Sequence, residues 1–247
     1  MTLALLSLFI VLFVALLLPI LSLVQRKSPP RFRLIPAFRE LRRSVDLSIE
    51  DGKQVHLSLG RGNLLSLQGA SGLASLGMWR HLAAQAAVGD RPPLITAGEG
   101  GLVILSQDTT RTAYRAALAE ELYHPLVARL GGLSPFAYAA SILPLLQEKR
   151  ISTHVFLGNF GAESLLLAEA AGRNQAFFVA ASDDLAAQAG LFALAPHPLL
   201  GEEIFAAAAY LGAGPSHQAS LSAQDALRWI LILVLLILPA LKFLGVF

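Results

Sequence analysis

Apolar residues are concentrated in two long runs at the ends of the chain, and the residues between them alternate in short apolar and polar segments. The first run, residues 3–24, is 22 residues long and contains no charged side chain. An α-helix of this length spans roughly 33 Å, slightly more than the ~30 Å hydrocarbon core of a bilayer. A second apolar run covers residues 229–247. The pattern predicts a membrane protein with transmembrane helices over residues 1–25 and 227–247.

The middle of the chain alternates strand-like and helix-like segments, which is typical of an α/β domain. We assign this domain to residues 45–212 and a linker to residues 213–226. The segments predicted as strands are VDLSIE, QVHLSLG, PLITAG, LVILSQ, THVFLG and QAFFVAAS. The Asp51-Gly52 pair between the first two favours a β-hairpin, because glycine adopts the positive φ that a tight turn needs.

Helices are predicted between these strands. Ser71 is the expected N-cap of the first helix, in GASGLASLGMWRHLAAQAAVG. Ser134-Pro135 marks the start of another, because serine caps a helix and proline fits its first turn. The remaining helical segments are TTRTAYRAALAEELYHPL, AESLLLAEAAGR, residues 185–195 and residues 202–211. Strands and helices together predict a Rossmann-like, open and mostly parallel sheet flanked by helices.

Residues 26–44 form a basic arm after the first apolar run. Its seven basic residues, against one acidic residue, are Arg26, Lys27, Arg31, Arg33, Arg39, Arg42 and Arg43. Positive charge beside a span stays in the cytoplasm. We therefore expect a cytoplasmic domain, with both termini outside, in the bacterial inner membrane. No basic segment precedes the first run and no A-x-A site follows it, which predicts a retained anchor and not a cleaved signal peptide.

Two interpretations of the arm are open. Its arginines and the apolar side chains mixed among them fit binding to anionic lipid headgroups at the bilayer surface. Alternatively, the arm is a topology signal only, and its apolar side chains pack on the domain. In both cases the lipid bilayer is a partner of the protein.

The composition excludes several kinds of site. The chain contains no cysteine, which rules out disulfides and thiolate metal sites. Residues 45–225 include ten basic and sixteen acidic residues, a net charge of −6, so we expect no nucleic-acid binding. The sequence also lacks H-E-x-x-H, G-x-S-x-G, a Walker lysine and G-x-G-x-x-G. We therefore expect no metal, no cofactor and no identifiable catalytic residue.

Candidate ligand-binding residues lie where predicted strands end, because ligands of open parallel sheets bind beyond the carboxyl ends of strands. These residues are Gln107, Asp108, Gly158, Asn159, Gly161, Glu163, Ser182, Asp183 and Asp184. Because Glu163 adds a negative charge beside GNFG, we expect a neutral or cationic group or a sugar hydroxyl there, and not a bare phosphate. Alternatively, Asp108 and Asp183 or Asp184 are helix N-caps, and the glycines only form turns.

Several segments together resemble a family of uncharacterised bacterial two-span membrane proteins, a domain of unknown function. The similarity is in GRGNLLSLQGASGLASL, LSQDTTRTAYRAAL, LSPFAYAASILP, HVFLGNFGAESLLLAEAA, AASDDLAAQAGLFA and SAQDALRWI, besides the two apolar runs. The resemblance covers nearly the whole chain and implies the same architecture. The family has no assigned activity, so the resemblance implies no functional residue.

The expected function is that of a membrane-anchored, oligomerising scaffold. Helical faces at residues 185–194 and 204–210 carry almost no charge and exceed what one small domain covers, which favours a homo-oligomer. Other membrane proteins are further candidate partners. The alternatives are a ligand-binding or sensing domain tethered to the membrane and a membrane-tethered enzyme of unknown reaction.

Overall fold

A computed structural model of the chain describes residues 2–27, 32–87, 89–174, 176–212 and 214–243. It divides into two compact units. One consists of Met1–Arg33 with Gly214–Phe247, and the other of Leu34–Ala213.

The first unit is a pair of packed helices, α1 (Thr2–Lys27) and α9 (Pro215–Phe243). Gln25 Nε2 donates a 2.6 Å hydrogen bond to Ser222 Oγ. Because this contact joins the end of α1 to the beginning of α9, the two helices run antiparallel. Ala219 and Ala223, on the same side of α9 as Ser222, are buried, and their small side chains allow the helices to approach closely.

One helix of the described residues is long and apolar enough to cross a bilayer. It is the segment Pro215–Ile237, 23 residues with a mean hydropathy of 1.7. Within α1 the described apolar segment, Ile10–Arg26, is too short by the same length criterion. The prediction of a span is thus supported at the carboxyl end of the chain, and α9 includes most of the segment expected to be a linker.

The second unit contains a parallel sheet of six strands flanked by helices, which confirms the predicted mixed α/β class. The strands are β1 (Gln54–Gly60), β2 (Leu94–Ala97), β3 (Ala128–Leu130), β4 (Ile151–Asn159), β5 (Phe177–Ser182) and β6 (His197–Pro198). Their spatial order is β3-β2-β1-β4-β5-β6, and all described pairings are parallel.

Helices cover both faces of the sheet. They are α2 (Pro36–Glu50), α3 (Gly69–Ala86), α4 (Gly100–Ala116), α5 (Pro135–Leu146), α6 (Glu163–Gly172), α7 (Leu185–Leu194) and α8 (Glu203–Tyr210). One face packs on α2, α3, α4 and α8 around the buried Trp79. The other packs on α5, α6 and α7 around Phe156, Phe160 and Phe178. Both faces of the sheet are therefore buried, as in other doubly wound folds.

The predicted β-hairpin is wrong, because VDLSIE belongs to α2. Phe38, Leu41, Val45 and Ser48 are buried at spacings of three and four residues, the period of a helix that packs one side on a core. Gly52, with φ of 61°, lies just after the helix end. Its positive φ terminates a helix here and does not form a hairpin turn.

The predicted strand LVILSQ is also wrong, because it lies in α4. Leu102, Ser106, Thr110 and Ala113 are buried at helical spacing. The Glu99 carboxylate caps this helix by accepting a 2.8 Å hydrogen bond from the Leu102 N–H. A short apolar run is compatible with either element, and the N-cap decides in favour of the helix.

A group of buried hydroxyls fixes α2 to the beginning of β4. Thr153 Oγ1 lies 2.5 Å from Ser44 Oγ and 2.8 Å from Ser48 Oγ. Ser152 Oγ donates a further 2.7 Å hydrogen bond to Ser48 Oγ. The second half of the basic arm is thus part of the domain, and these hydroxyl contacts help to hold it there.

Candidate functional site

The direction in which the chain adds strands reverses between β1 and β4. From β1 the chain proceeds outward to β2 and β3, and from β4 it proceeds to β5 and β6 on the other side. Such a switch point opens a crevice beyond the carboxyl ends of the two central strands, which is where doubly wound proteins bind ligands. The last residues of these strands, Gly60 and Asn159, are paired in the sheet.

Glycines bring the two central strand ends close together. Gly60 has φ of 70°, and a Cβ there would lie 2.1 Å from the carbonyl oxygen of Asn159. A Cβ on Gly158 would lie 1.9 Å from the carbonyl oxygen of Leu59. Neighbouring backbone therefore fills the space that these glycines leave, so they do not form a cradle for a ligand. Gly158 lies within β4 and not in a turn, and its lack of a side chain allows β1 and β4 to approach closely.

Asp183, directly after β5, joins three elements at this edge. Its Oδ1 accepts a 2.6 Å hydrogen bond from Asn159 Nδ2, at the end of β4. Its Oδ2 accepts a 2.8 Å hydrogen bond from Ser71 Oγ, in the first turn of α3. Asp183 and Asn159 are both partly exposed. Asp183 is thus held by two neighbours and does not cap a helix.

An ion pair lies at the same edge, between the loop after β1 and the start of α6. Arg61 Nε lies 2.9 Å from Glu163 Oε1, and the same oxygen accepts a 3.1 Å hydrogen bond from the Gly161 N–H. The Glu163 side chain is 1% exposed and that of Arg61 is 21% exposed. We call Arg61, Ser71, Asn159, Glu163 and Asp183 the strand-tip cluster.

Two of the predicted site residues, Ser182 and Asp184, have a structural role, because each is hydrogen-bonded to the backbone. Ser182 Oγ donates to the Phe160 carbonyl at 2.8 Å and accepts from the Phe160 N–H at 3.1 Å. Asp184 caps α7, because its Oδ1 accepts a 2.8 Å hydrogen bond from the Ala187 N–H. The N-cap interpretation therefore applies to Asp184.

Gln107 and Asp108 do not lie at the strand ends, and their prediction as such is wrong. Both are in α4, because LVILSQ is helical. Gln107 Nε2 donates to the Pro125 carbonyl at 3.1 Å, and Asp108 is exposed on the helix surface.

Sequence reasoning missed Arg61 and treated Ser71 only as a cap. The N-terminus of α3 has no side-chain cap, and Ser71 lies inside the helix. A signal for both residues was present in Gly60-Arg61-Gly62, which directly follows β1 and leads to α3. In a doubly wound sheet this first strand-to-helix turn lies at the switch point, even when the third glycine of the dinucleotide motif is absent.

The apolar residues and the arginines of the basic arm have different environments. Phe38 and Leu41 belong to the domain core, with exposures of 2% and 0%, so these apolar residues pack on the domain. Arg42 Nη2 donates to the Leu211 carbonyl at 3.2 Å. The other arginines of the arm with described side chains, Arg26, Arg33, Arg39 and Arg43, are exposed. Arg31 and the Lys27 side chain lie outside the described residues.

A groove of about 440 Å³ lies elsewhere, between α5 and α6. Its lining residues are Leu143, Gln147, Leu166, Glu169, Ala170, Arg173 and Asn174. Most of them belong to the last turns of the two helices and the residues after them, just before β4 and β5 begin. The groove is therefore at the amino-terminal end of the sheet, opposite the strand-tip cluster.

Two fully buried histidines occupy the middle of the sheet. His56 and His154 are paired on β1 and β4, and their Nδ1 atoms are 3.1 Å apart. His56 Nε2 lies 2.9 Å from Thr96 Oγ1. Burial lowers the pKa of His154 to about 4. Burial and the neighbouring His154 hold the pKa of His56 well below its ordinary value. Both rings are therefore neutral near pH 7.

A tyrosine continues the buried polar contacts toward the strand ends. Tyr138 OH lies 2.7 Å from Ser58 Oγ and donates to the Thr96 carbonyl at 3.3 Å. Burial raises the pKa of Tyr138 to about 12. Among the residues that the structure describes, no group of three or more histidine, cysteine, aspartate or glutamate side chains is arranged to hold a metal ion.

The fold and the strand-tip cluster define a doubly wound α/β protein with polar side chains at its switch point and a helical pair formed by the chain ends. A family model described as "Domain of unknown function (DUF6754)" matches residues 1–246, and the chain belongs to this family. No curated protein matches the chain. No solved structure matches it either.

Proposed function

We propose that the protein is a membrane-anchored domain that binds a small polar ligand at the strand-tip cluster. The observation that carries this proposal is the position of Asp183, a partly exposed carboxylate oriented by Asn159 and Ser71 at the switch point. Hydrogen bonds from two elements fix the carboxylate before any ligand arrives, which lowers the entropy cost of binding.

The chemistry of the cluster indicates what kind of ligand fits. Each Asp183 oxygen accepts one hydrogen bond from the protein, and an ionised carboxylate has about four acceptor positions. The remaining positions suit donors such as the hydroxyls of a sugar or an amino group. The sequence suggested the same kinds of ligand group, but for the position of Glu163 and not for that of Asp183.

The ligand-binding function is favoured over the scaffold for a structural reason. The face of α8 that was expected to be uncovered is packed against the domain itself, with Ile204 and Ala207 fully buried. On α7, Leu185 and Phe192 are 81% and 62% exposed. These two exposed apolar side chains support homo-oligomerisation through a face of α7. We propose oligomerisation in addition to ligand binding, and not in place of it.

We also propose that both chain ends cross the bacterial inner membrane and that the domain is cytoplasmic. The 26-residue length of α1 and its antiparallel packing on α9 support this, because two spans connected by one domain must run in opposite directions. A reporter that is active only in the cytoplasm, inserted within residues 212–218, should be active. Activity of a periplasm-only reporter at the same place would reverse the orientation.

Binding is tested with the full chain in mild detergent, by thermal shift against a panel of hexoses, amino sugars and nucleosides. A ligand should raise the melting temperature of the wild type but not that of Asp183→Asn, which keeps the shape of the side chain and removes its charge. Asp108→Asn is the matched control, because Asp108 is exposed on α4 and outside the cluster. Equal shifts for wild type and Asp183→Asn would contradict the assignment.

A further inference from the structure

We infer that Arg61 recognises an oxyanion, so that the ligand carries a carboxylate or phosphate group beside the hydroxyl or amino group that Asp183 accepts. This inference rests on the proposed function, because both residues belong to the strand-tip cluster.

The first step concerns the charge that this corner of the site presents. From sequence alone, Glu163 makes the start of α6 negative and unsuitable for an anion. In the structure the Glu163 side chain is 1% exposed and is bonded to Arg61 Nε and the Gly161 N–H. The more accessible charge is that of Arg61, whose side chain is 21% exposed. The ion pair therefore cancels the negative charge that the sequence predicts at this position, and the partly exposed member of the pair is the cation.

The second step concerns the position of the guanidinium group. The Arg61 stem lies against Gly98, where a Cβ would be 2.4 Å from Arg61 Cγ. At the other end, Arg61 Nη2 lies 3.8 Å from the position of a Cβ on Gly161. The side chain is thus held between the glycines that follow β2 and β4. Only a residue without a side chain at position 98 leaves room for this conformation.

The third step concerns the hydrogen bonds that remain available. Within the described ranges, the Arg61 side chain makes its hydrogen bond through Nε, to Glu163 Oε1, and its two terminal amino groups make none. A guanidinium group binds a carboxylate or phosphate through two parallel hydrogen bonds, and its terminal amino groups provide such a pair. Because the Glu163 contact through Nε holds the guanidinium plane, these donors are oriented before binding.

The position of Asn159 connects the two halves of the site. Asn159 donates to Asp183, and its Cβ lies 3.0 Å from the position of a Cβ on Gly62, the residue after Arg61. Arg61 and Asp183 therefore flank the same strand end. A ligand bound there meets a cation on one side of Asn159 and a carboxylate on the other, which requires an anionic group and a hydrogen-bond donor in one molecule.

The experiment titrates the full chain in detergent with acetate, inorganic phosphate and D-glucose, and follows the backbone amide resonances of Gly62 and Gly161 by NMR. The decisive pair of variants is Glu163→Gln and the double variant Arg61→Gln/Glu163→Gln. Neither leaves a buried carboxylate without its partner. Arg173→Gln, which removes an exposed arginine at the opposite end of the sheet, is the matched control.

We expect acetate or phosphate to bind the wild type, and Glu163→Gln to bind it more tightly because Arg61 is no longer neutralised. The double variant should bind roughly tenfold or more weakly, as for the loss of a hydrogen bond to a charged group. The stronger of the two anions identifies the carboxylate or the phosphate as the natural group. Equal anion affinity in the double variant and the wild type would overturn the inference.

The neutral probe separates this inference from the proposed function. One outcome is that D-glucose shifts these amide resonances in the wild type but not in Asp183→Asn, while neither anion shifts them. That result supports the proposed ligand site and contradicts the role of Arg61 in binding an anion. If neither the anions nor D-glucose shifts them, both proposals fail. Anion shifts that are lost in Arg173→Gln and kept in the double variant would place the anion at the groove between α5 and α6.

Discussion

Acid should destabilise this protein through its buried histidine pair. The folded-state pKa of His154 is about 4, against an ordinary value of 6.5. Between these two pH values the unfolded chain binds more protons than the folded chain, so stability falls as the pH falls. The stabilisation is complete above pH 6.5 and is lost as the pH approaches 4.

The size of the effect follows from the pKa difference. One pKa unit corresponds to 1.36 kcal/mol, so the shift of His154 to about 4 is equivalent to about 3 kcal/mol. His56 adds to this in the same direction, because its pKa is also lowered. Protonation of both rings would place a hydrogen on each of the two Nδ1 atoms, which are 3.1 Å apart, and so break their hydrogen bond. The total is a large fraction of the stability of an ordinary domain.

The assay is urea unfolding of the full chain in mild detergent at several pH values between 5 and 8. Fluorescence of Trp79, which is fully buried, reports on the domain once Trp229 is replaced by Phe. The wild type should lose stability at up to about 1.4 kcal/mol per pH unit for each histidine below pH 6.5.

The comparison variants are His56→Leu/His154→Leu and His124→Gln. The double variant removes both titrating groups and should flatten the pH dependence, whatever its stability at pH 8. His124 is exposed and outside the buried histidine pair, so His124→Gln is the matched control. A wild type whose stability is constant between pH 7 and 5, or a double variant with the same slope as the wild type, would refute the reasoning.

Three further changes test the structure at single positions. Asp184→Ala should lower the free energy of unfolding by about 1 kcal/mol, measured by urea unfolding, because it removes the cap of α7; no loss would contradict the cap. Gly60→Ala should cost at least about 3 kcal/mol in the same assay, because its Cβ would lie 2.1 Å from a backbone oxygen at a positive φ; a stable variant would show that the strand ends can separate. Replacing Arg39 and Arg43 by Gln should weaken binding to anionic liposomes by about 1 kcal/mol per charge, and unchanged binding at low salt would remove the lipid role of the arm.

The fold class was predictable because most strands carry their own signal. THVFLG and QAFFVAAS are short apolar runs bounded by polar or glycine residues; THVFLG lies in β4, and the FFVAAS part of the second run forms β5. LVILSQ is also a short apolar run, but it lies in α4. Glu99 caps this helix, and the polar residues Ser106 and, further along α4, Thr110 lie on its buried side. Those buried polar positions obscured the helical period in the sequence.

The candidate site was predictable only in part. Asn159 is the last residue of β4 and Asp183 directly follows β5, so the rule for parallel sheets located them at one edge. Arg61 could not be found by the same rule, because its role depends on a contact with Glu163, 102 residues later in the chain. The solvent exclusion of Glu163 and its neutralisation by Arg61 are likewise properties of packing and leave no trace in the sequence.

Strand β4 is bonded to α2 near its start and to the strand-tip cluster at its end. Thr153, near the start of β4, is bonded to Ser44 and Ser48 of the helix that carries the basic arm, and Asn159, at the end of the same strand, is bonded to Asp183. A strand buried in the centre of a sheet is stiff along its axis. β4 is therefore the element that joins α2 to the side chain that orients Asp183. At the α2 end the contacts are between uncharged hydroxyls, and at the other end the acceptor is a carboxylate.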